Sequence, residues 1–227
     1  MSERFFTPYV GPKYNDGICG KKVLVVGASF YCDKNGEGGS FKCPYFEKCT
    51  NPETKNSEPY NLKCPVYSPN DLKLQDEPTL GIENGYRVYK IFANFLSESV
   101  DNPGEEYSIW DRLAYTNYVQ FFVPTKETKP LYLSERDLES FYETLREITP
   151  DVVITWGVVF TEEIRMKNEF VSQTEKNNLP DNDYYVWHMK LPEMEHEITI
   201  INCFHPSSSK WNVEKDIFKK HLRNVLL

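Results

Sequence analysis

The sequence predicts an α/β protein with a mainly parallel sheet and helices on both faces. Short β-branched runs read as buried strands, and amphipathic stretches at helical spacing lie between them. The two kinds alternate along the chain, as βαβ units require. The first strand is KKVLVVGAS (21–29), an apolar run that ends at Gly27. A polar, cysteine-containing stretch follows to about residue 80. In YRVYKIFANFLSE (86–98), Val88, Ile91, Phe92, Phe95 and Leu96 share one helical face. AYTNYVQFFVP (114–124) reads as a second strand stopped by Pro124. SERDLESFYETLREITP (134–150) is the clearest helix. Ser134 and Asp137 resemble a capping box, Leu138, Phe141, Tyr142 and Leu145 form the apolar stripe, and Pro150 ends it. DVVITWG (151–157) is a third buried strand, FTEEIRMKNEF (160–170) a short helix, and YYVWHMKL (184–191) an edge strand. EITIINCF (197–204) is the fourth buried strand, and WNVEKDIFKKHLRNVLL (211–227) closes the chain as an amphipathic helix.

Composition sets the outer bounds. At 40% hydrophobic and 26% charged residues the chain is of globular type, which excludes wholesale disorder. The 15 tyrosines and 14 phenylalanines predict an aromatic core and aromatic pocket walls. No apolar run reaches membrane-spanning length, and MSERFFTPYV has no signal-peptide pattern, so a cytoplasmic, monomeric protein is expected. Residues 1–227 read as a single domain with a cysteine-containing insertion at about 30–80. A net charge of −8 disfavours non-specific binding to nucleic acid over the whole surface. The C-terminal end runs against that average: Lys210, Lys215, Lys219, Lys220 and Arg223 face only Glu214 and Asp216. Such a helix either meets phosphate or is a solvated face whose positive end suits the helix dipole.

In sheets of this kind ligands bind beyond the carboxyl ends of the strands. Four strand ends therefore matter: GASFYC (27–32), TNYVQ (116–120), WGVVF (156–160) and FHPSSS (204–209). His-Pro-Ser by itself is a good turn sequence, because Pro fixes φ and Ser bonds its own backbone. His205 is thus either a corner residue or a chemical group at a strand end. Asn117 is either a strand-end turn residue or a reader of a ligand's hydrogen-bonding edge.

In order, these four strand ends resemble the uracil-DNA glycosylase superfamily, over roughly residues 20–225. GASFYC stands where the family has a Gly-containing pocket motif, YTNYV where it has a pyrimidine-reading Asn, ITWG where a later strand ends in Gly, and FHPSS where the last strand ends in H-P-S-P. The resemblance implies a three-layer α/β/α fold around a central, mainly parallel four-stranded sheet. It implies hydrolysis of the N-glycosidic bond of uracil or a related pyrimidine flipped out of DNA, a step of base excision repair needing no cofactor for catalysis. Asn117 would pair with uracil O4 and N3–H, Phe41 would stack on the ring, and Tyr31 would exclude a thymine methyl. Gly27 and Ala28 would line the pocket. Neutral His205 would donate to O2 as negative charge develops there. Ser207, Ser208 and Lys210 would contact the DNA backbone.

Two positions depart from the family pattern. Ser29 stands where a water-activating Asp or Asn is usual, and a hydroxyl positions water but is a poor base. Ser209 stands at the usual wedge position, leaving Trp211 or Lys210 as its replacement. A binding-only relative that keeps the pocket is therefore the alternative reading. A nucleotide hydrolase ranks last, since GASFYC has one glycine where phosphate loops need several. Cys32, Cys43, Cys49 and Cys64 lie in one polar stretch at spacings x10, x5 and x14. They are unliganded thiols or hold a structural metal, with zinc the better candidate. The C-x2-C spacing of the family's iron–sulfur members is lacking.

Overall fold

The computed structural model describes residues 6–31, 78–83, 85–100, 109–120, 122–123, 135–157, 161, 164–165, 169–176 and 185–227. Phe41, the cysteines 32, 43, 49 and 64, Ser134 and Pro124 lie outside them, as does most of the expected helix at 160–170.

Among the described residues seven strands form one mixed sheet: β1 (Tyr9–Val10), β2 (Val23–Gly27), β4 (Leu113–Asn117), β6 (Val152–Trp156), β7 (Val171–Lys176), β8 (Tyr185–Met189) and β9 (Ile198–Cys203), in the order β1-β4-β2-β6-β9-β8-β7. Two further short strands, β3 (Phe30–Tyr31) and β5 (Phe122–Val123), pair in parallel as a separate ribbon. The helices are α1 (Pro78–Glu83), α2 (Arg87–Ser99), α3 (Glu135–Ile148) and α4 (Ser209–Leu226).

The general α/β class holds, and the main sheet is a mixed one that extends beyond the four strands expected from the sequence. Among the described strands of the main sheet, β2–β4, β2–β6 and β6–β9 pair in parallel, while β1–β4, β8–β9 and β7–β8 pair antiparallel. YYVWHMKL is not at the edge: β8 pairs on both sides, and the outer strand is VSQTEK of β7. That polar hexapeptide has no apolar run to announce it, and its register breaks between Val171 and Gln173. The stretch 114–124 is not one strand either. The chain bends at 118–120 and re-enters the separate ribbon.

Strand composition follows from burial on both faces. All five residues of β2, of β4 and of β6 are buried, which is why β2 and β6 read as mainly apolar runs rather than alternating ones. Alternate residues face two separate cores. Val23, Val25, Tyr115, Trp156 and Ile201 pack with Phe92, Phe95 and Leu96 of α2 and with Trp211, Phe218 and Leu222 of α4. Leu24, Val26, Val153 and Ile200 pack with Phe141, Tyr142 and Leu145 of α3 on the opposite face. Phe218 anchors the first core at 0% exposure, stacked on Phe95 at 5.4 Å and tilted against Trp211 at 6.1 Å. Phe218→Ala is expected to lower stability by about 3–5 kcal/mol, because the helix cannot collapse into the space. Urea unfolding should show a lower midpoint at unchanged slope.

From β2 the chain crosses one face through α2 to reach β4, then crosses the other face through α3 to reach β6 on the far side of β2. Strand order therefore reverses about β2, and in open α/β sheets ligands bind beyond the carboxyl ends of the strands at such a point, here β4, β2 and β6. Among the described residues no helix is long and apolar enough to cross a membrane.

Candidate functional site

Asn117 is the last residue of β4 and pairs in register with Gly27, the last residue of β2. Trp156 ends β6 opposite Cys203, the last residue of β9. These residues form a row across the carboxyl ends of four adjacent parallel strands. Period two then puts Asn117 on the same face as Tyr115, and the ring contact with Trp156 brings His205, just past β9, to that face. That face is the one covered by α2 and α4.

Side chains tie the row together. The Tyr115 hydroxyl donates to Asn117 Oδ1 at 3.2 Å, both residues being buried. The Tyr115 ring leans across β2 to meet Trp156 at 5.5 Å. Trp156 in turn meets the His205 imidazole edge-on at 5.7 Å and 82°. Gly27 makes the span possible. A Cβ at this position would fall on Asn117 Oδ1 and lie 2.7 Å from the Tyr115 hydroxyl. Gly27→Ala is expected to lower stability by about 1–3 kcal/mol and to displace the Asn117 amide, since a side chain at 3% exposure has nowhere to retreat. Urea unfolding reads the first effect and the side-chain amide resonance of Asn117 the second.

The Asn117 loop is fixed from below. Tyr118 N donates to Gly27 O at 2.9 Å and Val119 N to Ala28 O at 3.0 Å, so strand pairing continues past the ends of β2 and β4. Gln120 is buried and holds the bend: its Nε2 donates to Asn117 O at 2.9 Å, its Oε1 accepts from Phe6 N at 3.0 Å, and its own N–H donates to Asp137 at 2.8 Å. Asp137 therefore braces this loop from the first turn of α3. Gly157 closes the row on the other side, with φ 131 and its N–H donating to Cys203 O at 2.8 Å. That backbone conformation favours glycine and explains the Gly of ITWG.

The histidine turn is both a corner and a mounting. Ser208 N donates to His205 O at 2.8 Å, closing a β-turn with Pro206 at its second position. Ser207 folds back on the imidazole, its N–H 3.3 Å and its hydroxyl 2.8 Å from Nδ1. A backbone N–H can only donate, so Nδ1 accepts, and a neutral ring then carries its proton on Nε2. Ser208 caps α4, its Oγ accepting from Trp211 N at 3.2 Å. Lys210 is exposed, with Nζ 4.9 Å from the Phe204 ring centroid. Trp211 is 2% exposed within the core of α2 and α4, which removes it as a wedge.

The other expected residues divide. Ser29 follows β2, and among the described residues its buried hydroxyl has no hydrogen-bond partner. Ala28 is partly buried against the α3 core. Tyr31 pairs with Val123 in the separate ribbon. Phe41 and the four cysteines fall outside the described residues. Of the remaining cysteines, Cys19 is exposed and Cys203 buried, and burial pushes the Cys203 thiol well above its ordinary value. Among the described residues no cluster of three or more His, Cys, Asp or Glu could hold a metal.

Sequence reading missed Tyr115 and Trp156. Each was legible in principle, Tyr115 two residues before Asn117 and Trp156 immediately before Gly157. What was lacking is the strand order that brings them into contact. Chemically the site offers an amide edge at Asn117 and an imidazole at His205. No protein-family model matches the chain, and no curated protein matches it in sequence.

Proposed function

We propose that the chain is a divergent relative of the uracil-DNA glycosylases that takes a flipped pyrimidine between Asn117 and His205. The observation that carries this reading is the run of contacts from Asn117 through Tyr115 and Trp156 to His205, with His205 Nδ1 accepting from Ser207. Three strand spacings separate β4 from β9, about 14 Å between backbones. Two side chains reaching inward over that span leave room on the scale of one aromatic ring. The amide then reads the ring's O4 and N3–H edge, and His205 Nε2–H faces O2 from the other side.

Cleavage of the N-glycosidic bond leaves negative charge on the departing base. An Nε2–H donor already aimed at O2 stabilises that charge without reorganising as it forms. Water completes the hydrolysis at the sugar. Ser29, whose buried hydroxyl has no hydrogen-bond partner among the described residues, would hold such a water, but it supplies no base. Loss of general-base help lowers rates by about 10²–10⁴-fold, so slow turnover is expected. The exposed Ser207 and Lys210, with the basic face of α4, are the groups proposed to meet the phosphate backbone.

Ser29 also favours the second reading, a relative that binds the base without cleaving it. A single-stranded oligonucleotide with one uracil, incubated at high protein concentration and then treated with alkali, separates the two. Strand cleavage at the uracil supports the glycosylase. Uracil-dependent binding without cleavage supports the binding protein. No preference for the uracil oligonucleotide over a matched thymine one in either measurement overturns both.

A further inference from the structure

We propose that the groove between α2 and α4 holds the phosphodiester backbone of a single-stranded arm of DNA, which runs away from the histidine turn with its bases turned to solvent. The inference rests on the pocket proposed above only for the point where the strand enters. To the basic face of α4 it adds a second wall, a course and a sequence-independent mode of binding.

The groove measures about 630 Å³, and Pro206 and Ser207 line it where α4 begins. Ser207 is also the residue that bonds the His205 imidazole, so the groove starts at the candidate site. The far end of α4 lies at the other end of the sheet, where Val225 O accepts from Lys21 Nζ just before β2. The groove therefore leads away from the strand ends that carry Asn117 and His205.

Its floor is closed. Phe95 and Trp211 are 7% and 2% exposed and pack edge-on at 4.8 Å, with partly buried Val88 and Ile91 beside them. No open ring face is left there for a base to stack on, so recognition falls to the walls. Lys215 and Lys219 stand on the α4 wall and Arg87 on the α2 wall. At 3.6 residues per turn the two lysines lie about 40° and 80° round α4 from Trp211, next to the floor, and about 6 Å apart along it. Asp216 lies about 140° round, on the outer rim, and Glu98 is about three turns down α2 from Arg87. Among the described residues Arg87, Lys215 and Lys219 have no ion-pair partner, although both carboxylates line the same groove. Two lysines four apart on one helix repel each other, and an occupant with negative charge at intervals along its length relieves that repulsion. A net charge of −8 repels a polyanion over the rest of the surface, which confines it to such a groove.

The test is binding of the full chain to single-stranded thymine and adenine oligonucleotides across a salt series. Lys215→Gln/Lys219→Gln should weaken both alike and flatten the slope of log K against log salt by about 1.4, two phosphate contacts at about 0.7 each. Arg87→Gln, on the opposite wall, should flatten it by about 0.7. Lys13→Gln/Lys190→Gln removes two exposed cations outside the groove and should keep the wild-type slope. No effect of the groove pair, or an equal effect of the control pair, overturns the proposal. So does an unchanged slope in Arg87→Gln, which would leave no second wall. Groove-dependent binding of an oligoglutamate peptide but not of DNA overturns the nucleic-acid assignment. With a single uracil at the 5′ or the 3′ end of a thymine oligonucleotide, the groove pair should matter for one placement only, and equal effects at both overturn the course. Groove-dependent slopes without any preference for uracil remove the pocket and leave the groove standing.

Discussion

His205→Ala is expected to lower kcat on uracil-containing DNA by about 10²–10³-fold while KM and affinity change little. The magnitude is that of removing one preorganised donor from a developing anion, about 2.7–4 kcal/mol of barrier. The split follows from when the interaction exists. Before bond cleavage O2 is an ordinary carbonyl already satisfied by solvent. Only as the sugar–base bond breaks does the oxygen take on charge that Nε2–H can stabilise, so the loss falls on kcat. Ser207 makes the expectation specific to this chain. Its N–H and hydroxyl meet Nδ1, which leaves the proton on the opposite nitrogen, and the edge-on contact with Trp156 fixes the ring plane. Single-turnover cleavage and equilibrium binding on the same oligonucleotide check both halves. An unchanged rate, or loss of binding in step with loss of rate, would return His205 to the role of a corner residue.

Asn117→Asp is expected to reduce kcat/KM on uracil by about 10²–10⁴-fold, because a site built to hydrogen-bond discriminates steeply when a partner is lost. The carboxylate keeps the acceptor that Tyr115 addresses and loses the donor that faces O4. It also sets negative charge against the lone pairs of that carbonyl. Asn117 is 3% exposed, so burial would raise the introduced carboxyl's pKa, while the Tyr115 hydroxyl would favour the ionised form. Only the protonated carboxyl can donate. Activity of the variant should therefore recover in part as pH falls through its pKa, giving a profile that climbs toward acid where the wild type's does not. The pH dependence of kcat/KM for both proteins is the measurement. A variant with wild-type rates at neutral pH would take Asn117 out of the site.

Several elements were legible in the sequence because a single physical signal specified each. The runs VLVVG, VVITW and ITIINC are predominantly apolar, since β2 and β6 are buried on both faces and β9 nearly so. The helices over 87–99 and 135–148 announced themselves through stripes that cover one face of the sheet each. His-Pro-Ser-Ser specified its own turn, and Ser208 specified the cap of α4. These are local properties, fixed by the period of the backbone and the shape of the side chains.

The breadth of the sheet was not legible. Its outer strand, VSQTEK, is polar and is a strand only because β8 lies beside it, offering a ladder of backbone groups. For the same reason β8 was misplaced: YVWHM is apolar because it is flanked on both sides, which no local pattern distinguishes from an edge strand packed on one face. The site divides in the same way. That a glycine, an asparagine and a histidine stand at strand ends could be read directly. That Gly27 leaves room for the amide of Asn117, that Tyr115 reaches across β2 to Trp156, and that Trp156 backs His205 depend on the order β4-β2-β6-β9. Sequence fixed which groups stand at the carboxyl end of each strand, because strand period and turn chemistry act over a few residues. Only the tertiary structure decided which of them touch, because contacts across a parallel sheet join segments separated by whole helices and are chosen by packing.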